Sequence, residues 1–290
     1  MSQDSTITVI TGATCSGKTK LSIDLALKTD AEIICADSRS VYCGLDIVSA
    51  KPKKEEMCGI EHHLLDIITP DNDFSAGDFV KEAKNAIDEI RKRGKKIIIA
   101  GGTWFYIKSL LDEKELPQVG INKELREKLG LKTPDELWEE LLKLDPVRAG
   151  QIHKNNKDKV IRSIEMCIGL NMPVSQYKRE EKEQIKARWF MPKISREELY
   201  ERINKRVDIM IQEGLYEEWQ KNKSLYPHSK ILQNTIGYRE FFELEHGMWK
   251  DFNEAVEKIK QRTRNFAKRQ LTYFRSNPLI KEIEGIDGIN

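Results

Sequence analysis

The chain has 290 residues, enough to bury a sizeable core and to carry one large domain with a smaller one. At 39% hydrophobic and 33% charged it is neither disordered nor fibrous, and no apolar run approaches the roughly 20 residues needed to cross a bilayer. A net charge of only +2 means that a polyanionic partner has to be met by local basic patches.

The first element is a strand, Ile7-Thr8-Val9-Ile10. Residues 1–5 lead into it without a secretory or transit signal, so a cytoplasmic protein is expected. Cys15, Cys35, Cys43, Cys58 and Cys167 have no C-x-x-C spacing and are expected to be free thiols. The strand runs into Gly12-Ala13-Thr14-Cys15-Ser16-Gly17-Lys18-Thr19, a complete G-x-x-x-x-G-K-[ST] phosphate loop. Its backbone N–H groups can wrap a di- or triphosphate, Lys18 can reach the phosphate oxygens, and Thr19 can offer a hydroxyl to magnesium. Residues 20–27 read as an amphipathic helix aiming its positive end at the anion. The motif leaves open which phosphate ester is held, and whether the phosphate is transferred, hydrolysed or discarded.

Glu32-Ile33-Ile34-Cys35-Ala36 is a second strand, followed by Asp37. A carboxylate at that position can hold magnesium through water, accept a proton from a nucleophile, or cap the loop. Cys58, His62 and His63 lie near one another, but no second ligand pair has zinc spacing. Adjacent histidines point different ways, so hydrogen-bonded structural histidines or a substrate contact are expected. Ser75 and Asp78 open a helix to about Arg93, stopped by Gly94. Lys96-Ile97-Ile98-Ile99-Ala100 is a third strand, apolar enough to be buried on both faces. Gly101-Gly102-Thr103 follows, then a short helix through Leu111. Thr103 can contact a phosphate or nucleophile, cap that helix, or do both.

Residues 112–185 are helical, polar and lysine-rich, punctuated by Pro117, Gly120, Pro134, Pro146 and Pro173. Ala187-Arg188-Trp189-Phe190-Met191 returns to the sheet. Ser195 with Glu198 reads as a capping box for a helix ending near Gly214. A last long helix spans about 252–275, and 279–283 reads as a final strand. That helix carries Lys258, Lys260, Arg262, Arg264, Lys268, Arg269 and Arg275 with Phe266, Tyr273 and Phe274 interleaved. Cations can neutralise phosphates and aromatic faces can stack on unpaired bases, whereas a charge run is also an ordinary solvated face. Lys154, Lys157, Lys159 and Arg162 form a second basic set, which solvation explains equally well. The βα alternation predicts an α/β fold: a P-loop NTPase-like parallel sheet flanked by helices, with an inserted all-helical subdomain. Residues 1–111 and 186–290 form the core and 112–185 the insertion. Ligands of such sheets bind at the carboxyl ends of the strands, where the phosphate loop, Asp37 and Thr103 converge.

Together these residues resemble the tRNA dimethylallyltransferase (tRNA isopentenyltransferase) family. The likeness is carried by the phosphate loop, Asp37-Ser38 through Tyr42, Gly44-Leu45-Asp46-Ile47, Ala50-Lys51-Pro52 and His62-His63-Leu64-Leu65-Asp66. It continues in Phe74-Ser75-Ala76, Asp78-Phe79, Gly101-Gly102-Thr103, Ile236-Gly237-Tyr238 and Ala267 through Arg275. Ala13 and Cys15 stand where the family usually has proline and alanine, and Tyr273 replaces a common tryptophan. The resemblance implies transfer of dimethylallyl from dimethylallyl diphosphate to the N6 amine of the adenine 3′ of a tRNA anticodon. Lys18 and Mg2+ on Thr19 would then neutralise a diphosphate leaving group. Asp37 would take the proton, and Thr103 would position the acceptor. It also implies tRNA contacts at Asp37, Ser38, Arg39, Ser40, Thr103, Arg126, Asp158, Lys159, Val160, Ile161 and Arg162. The same set includes Asn234, Thr235, Ile236, Gly237, Tyr238, Arg239, Lys268, Arg269, Gln270, Leu271, Thr272, Tyr273, Phe274 and Arg275. A monomeric, bacterial-type enzyme without membrane attachment is expected. The competing readings are a free-nucleotide isopentenyltransferase, a small-molecule kinase and a nucleotide-switched RNA-binding protein.

Overall fold

A computed structural model describes residues 6–112, 117, 119–178, 180–181 and 185–289; the segment 1–5, read above as free of a targeting signal, lies outside them. The chain divides into two compact units, Met1–Asp112 with Gln184–Asn290, and Glu113–Glu183. In chain order the first unit opens with β1 (Ile7–Thr11), α1 (Lys18–Thr29), β2 (Ala31–Cys35), α2 (Asp46–Ser49) and β3 (His62–His63). It continues with α3 (Ala76–Lys92), β4 (Lys96–Gly101) and α4 (Trp104–Leu111). The helical unit holds α5 (Lys123–Gly130), α6 (Pro134–Leu144), α7 (Pro146–Ala149) and α8 (Lys157–Leu170). The first unit resumes with β5 (Ala187–Pro192), α9 (Arg196–Gln212), α10 (Leu215–Leu225) and α11 (Lys230–Asn234). It ends with α12 (Arg239–Glu245), α13 (Phe252–Arg275) and β6 (Ile280–Ile283).

The six strands form one parallel sheet in the order β3-β2-β4-β1-β5-β6. Its centre is aliphatic on both faces: Ile7, Val9, Ile10, Ile33, Ile34, Ile98 and Ile99 are buried. Burying such a side chain stabilises by about 1.5–3 kcal/mol. The register pairs Thr11 with Gly101 and Cys35 with Ala100, so the loops after β1, β2 and β4 emerge side by side. Gly101 is required there, because a Cβ would lie 2.1 Å from the Ala36 carbonyl oxygen.

α3 is fixed by a reciprocal box between Ser75 and Asp78 and buries Phe79, Ala83, Ala86, Ile87 and Ile90 on one face. The box expected at Ser195 is only half formed. Ser195 accepts the Glu198 N–H, but the Glu198 carboxylate pairs with Arg202 one turn on instead of returning to Ser195. β3 is an addition to the expected elements: His62 and His63 pair with Ile33 and Ile34 at the sheet edge. Behind the site, α9 to α13 enclose an aromatic core of Trp219, Tyr238 and Phe241. The helical unit has its own core of Leu129, Leu137, Leu141, Val160 and Ile164. No helix among the described residues is long and apolar enough to cross a membrane.

Candidate active site

The phosphate loop turns between β1 and α1 with Cys15 and Gly17 in left-handed conformations (φ 62° and 95°). This winding makes a concave nest of N–H groups at the N-terminus of α1. Lys18 Nζ lies across the nest and donates to the Ala13 carbonyl at 3.1 Å. Burial lowers the Lys18 pKa, Asp37 and Cys15 raise it again, and Arg206 adds to the lowering. The Ser16 hydroxyl is buried without a hydrogen-bond partner among the described residues. An unmatched donor inside a nest of N–H groups suits an anion. The Thr19 side chain is exposed on the first turn of α1.

Asp37 follows β2. Its Oδ1 accepts the N–H of Arg39 at 2.8 Å and of Ser40 at 3.4 Å, so the loop-capping role is real. Oδ2 has no hydrogen bond among the described residues. Thr103 stands at the start of α4 but its hydroxyl does not cap that helix. It accepts the Ser38 N–H at 3.0 Å, while Thr103 N–H donates to the Ala36 carbonyl at 3.1 Å. Thr103 therefore holds the Asp37 loop in place.

Two cavities meet at this point. One, of about 760 Å³, runs from Lys18 and Thr19 past Ile23, Ile33, Ile47, Leu65 and Met210. The other, of about 490 Å³, is bounded by Arg39, Thr103, Asn234, Thr235, Ile236, Gly237, Arg239, Phe266, Arg269 and Gln270. Both are lined by Thr14, Cys15, Lys18, Asp37, Ser49, Ala50, Arg206 and Met210. A chamber beside the phosphate loop, with an apolar wall of Ile23, Ile47, Leu65 and Met210 among charged groups, and a polar, basic chamber thus share Lys18 and Asp37.

Arg206 is a site residue that the sequence reading missed. It extends from α9 into both cavities; its only hydrogen bond among the described residues goes to the Ala50 carbonyl, at 3.4 Å. The available signal was the spacing of Arg202, Arg206 and Met210, one helix face beside the buried face of Leu199, Ile203 and Val207. Glu218 was also missed. Its carboxylate accepts the N–H groups of Asp46, Ile47 and Val48 at 2.7–3.0 Å, anchoring α2 against the cavity. His63 bonds Glu32, the structural reading, whereas His62 bonds the Ile60 carbonyl and also lines the larger cavity, where both expected readings meet.

The expected RNA contacts separate by exposure. Lys268, Arg269, Thr272, Tyr273 and Arg275 form an outward face of α13, while Leu271 is half-buried. Gln270 and Phe274 point inward, and Tyr238 is buried with its hydroxyl donating to Glu218 at 2.7 Å. Burial takes Phe274 and Tyr238 off the surface, whereas Gln270, like the buried Thr235 and Gly237, lines the smaller cavity. The basic helix is also less charged than its sequence suggests: Lys260 pairs with Asp208, and Arg262 with Glu240 and Glu243. In the helical unit Val160 is wholly buried and Ile161 half-buried, which corrects Val160 too. Arg126 and Arg162 both pair with buried Glu165. Burial opposes ionisation of Glu165, but the two guanidinium groups and the Asn122 N–H overcome it and lower its pKa. Asp158 and Lys159 remain exposed.

Residues 40–277 match the family model described as IPP transferase. A tRNA dimethylallyltransferase of Acetivibrio thermocellus is 40% identical, over 98% of this chain and 91% of its own. The solved full-length tRNA isopentenylpyrophosphate transferase of Bacillus halodurans is 34% identical, with a TM-score of 0.71 over 97% of this chain and 90% of its own. A eukaryotic dimethylallyltransferase solved acting on tRNA aligns with a TM-score of 0.80 at 29% identity, covering 93% of this chain and 69% of its own. Their shared sheet is the P-loop NTPase-like fold expected from the βα alternation. With the model spanning most of the chain and the relatives nearly all of it, this protein belongs to the IPP transferase family, that of the tRNA dimethylallyltransferases.

Proposed function

We propose that the protein transfers the dimethylallyl group of dimethylallyl diphosphate to the exocyclic N6 amine of the adenine immediately 3′ of a tRNA anticodon. The observation that carries this reading is the pair of chambers meeting at Lys18 and Asp37. A kinase needs its phosphate to face the acceptor. Here the apolar wall of Ile23, Ile47, Leu65 and Met210 beside the phosphate loop suits a prenyl chain, with the phosphate as leaving group.

In this mechanism the adenine is extruded from the anticodon loop into the chamber lined by Arg39, Thr103 and Phe266. Its N6 attacks C1 of the prenyl group, forming the N–C bond as the C1–O bond breaks. The electron pair leaves on the diphosphate oxygen, where Lys18, Arg206 and the loop N–H groups stabilise it. The amine proton passes to Oδ2 of Asp37, while Oδ1 keeps the loop in shape through Arg39 and Ser40. The site also fits magnesium: Thr19 and the diphosphate offer hard oxygen ligands. Among the described residues no three acidic, histidine or cysteine side chains gather to hold a metal alone, so the phosphates would be its main protein-independent ligands. When bound, the ion would add charge neutralisation at the leaving group. Lys268, Arg269 and Arg275 on α13 supply phosphate contacts to the stem-loop and Tyr273 a stacking face, while Lys159 of the helical unit offers a phosphate contact and Asp158 an acceptor for a base or sugar donor.

The test is mass spectrometry of unmodified tRNA incubated with the protein, dimethylallyl diphosphate and magnesium. One five-carbon group on the adenine beside the anticodon is expected. No mass gain on any RNA overturns the proposal, and prenylation of free AMP alone replaces it with a nucleotide acceptor.

A further inference from the structure

Gln270 lies on the inward face of α13 and is 7% exposed. Its Oε1 accepts the Thr14 N–H at 2.9 Å, and its Nε2 donates to the Gly102 carbonyl at 3.0 Å. One side chain therefore bonds both the phosphate loop after β1 and the turn after β4. The joint is close-fitting, since a Cβ on Gly102 would stand 2.5 Å from Gln270 Nε2. One turn earlier, Ala267 shares an apolar cluster with Ala13 of the loop. The turn held by Gln270 leads directly into Thr103, which carries the Asp37 loop through Ser38. On the outward face of the same helix stand Lys268, Arg269, Thr272 and Tyr273.

We propose that Gln270 is a positioning residue that locks the phosphate loop to the Gly102–Thr103 turn, so that seating of α13 and the anion-binding shape of the loop depend on each other. The side-chain amide is suited to this because it presents a donor and an acceptor at once. Leucine would leave the part-buried Thr14 N–H and the buried Gly102 carbonyl without this partner. Glutamate would keep the acceptor but could donate only when protonated. Resting on the function proposed above, the lock has a further consequence. RNA pressing on the outward face of α13 and diphosphate in the loop tighten each other's binding by the same factor, as linkage requires.

The test uses the full chain and inorganic diphosphate with magnesium, titrated by calorimetry with and without an anticodon stem-loop. Without RNA, Gln270→Leu should weaken diphosphate binding by about tenfold, the effect of losing one buried and one part-buried hydrogen bond. RNA should tighten diphosphate binding to the wild type and lose that effect in the variant. Gln270→Glu should be weakened at pH 8 and recover towards the wild type, measured in parallel, near pH 6. There the buried carboxyl takes up a proton and can donate to Gly102. The charged groups lining this cavity, Lys18, Asp37, Arg39, Arg206, Arg239, Arg262 and Arg269, are the same in both proteins, so the ratio of variant to wild type isolates residue 270. Wild-type affinity in both variants overturns the proposal. If Gln270→Leu does not fold, the Glu variant decides alone: a constant ratio to the wild type between pH 8 and 6 overturns the lock. If the variants behave as expected but the wild type transfers no prenyl group, the lock stands and the proposed function falls.

Discussion

The hydroxyl of Thr103 accepts the backbone N–H of Ser38 at 3.0 Å, joining the turn after β4 to the loop after β2. Asp37 is thus held from its neighbour, not by its own strand. Replacing Thr103 by Val removes the acceptor while keeping the shape, and kcat should fall by about 5–30-fold, the worth of one part-buried hydrogen bond. Thr103→Ser should retain most of the activity. Activity kept in Thr103→Val but lost in Thr103→Ser would show that the methyl group, not the hydroxyl, matters.

Asp37→Asn keeps an oxygen for the Arg39 and Ser40 N–H groups but removes the proton acceptor. The single-turnover rate should drop by about 10²–10⁴-fold, with stem-loop binding little changed. A rate near wild type would eliminate Asp37 as the base.

Arg206→Gln removes the guanidinium that both cavities share. A donor interaction realised mainly as charge develops on the leaving oxygen should show as a loss in kcat of about 10²-fold, with a smaller rise in KM for dimethylallyl diphosphate. A change confined to KM for tRNA would place Arg206 in RNA binding instead.

Tyr238 and Lys268 were expected to act alike, and burial separates them. Tyr238→Phe breaks the bond to Glu218 inside the protein, so it should cost about 1–2 kcal/mol of stability in denaturant titrations and leave the salt dependence of RNA binding intact. Lys268→Ala should leave stability alone and reduce the slope of log K against log salt by about 1. A reversed pattern would return Tyr238 to the interface.

The buried carboxylate of Glu32 is held to about 2, from its usual 4.5, first by the Arg93 hydrogen bonds, with burial opposing and His63 assisting. A depressed carboxylate contributes stability that is complete above the unfolded pKa and disappears as pH falls through the folded one. The contribution, about 2–3 kcal/mol at pH 7 after allowance for the part-exposed Arg93, should therefore be lost between about pH 4.5 and 2. Chemical denaturation of Glu32→Gln should show a deficit at pH 7 that begins to narrow below pH 4.5. A deficit independent of pH would assign the effect to packing.

The sheet was legible because its signals are local. The aliphatic runs of β1 and β4, the loop motif and the Ser75 box each occupy a few consecutive residues. β3 was not, since two histidines are too short for any periodicity to declare a strand. The site was half legible. Asp37 and Thr103 stand at strand ends, where ligands of parallel sheets gather, whereas Arg206 reaches the same cavities from a helix far along the chain. The charge of α13 was misjudged for a similar reason. Its balancing acids, Asp208, Glu240 and Glu243, come from α9 and α12, so no window over the helix contains them.

The helical unit is threaded into the chain between α4 and β5, and its core of Leu137, Leu141, Val160 and Ile164 is its own. The residues around Lys18 and Asp37 lie on the other unit. One hydrophobic core is thus encoded by a single continuous stretch of chain, and the other by the two stretches on either side of it. The helical stretch can therefore lengthen or shorten in sequence without changing which residues build the sheet.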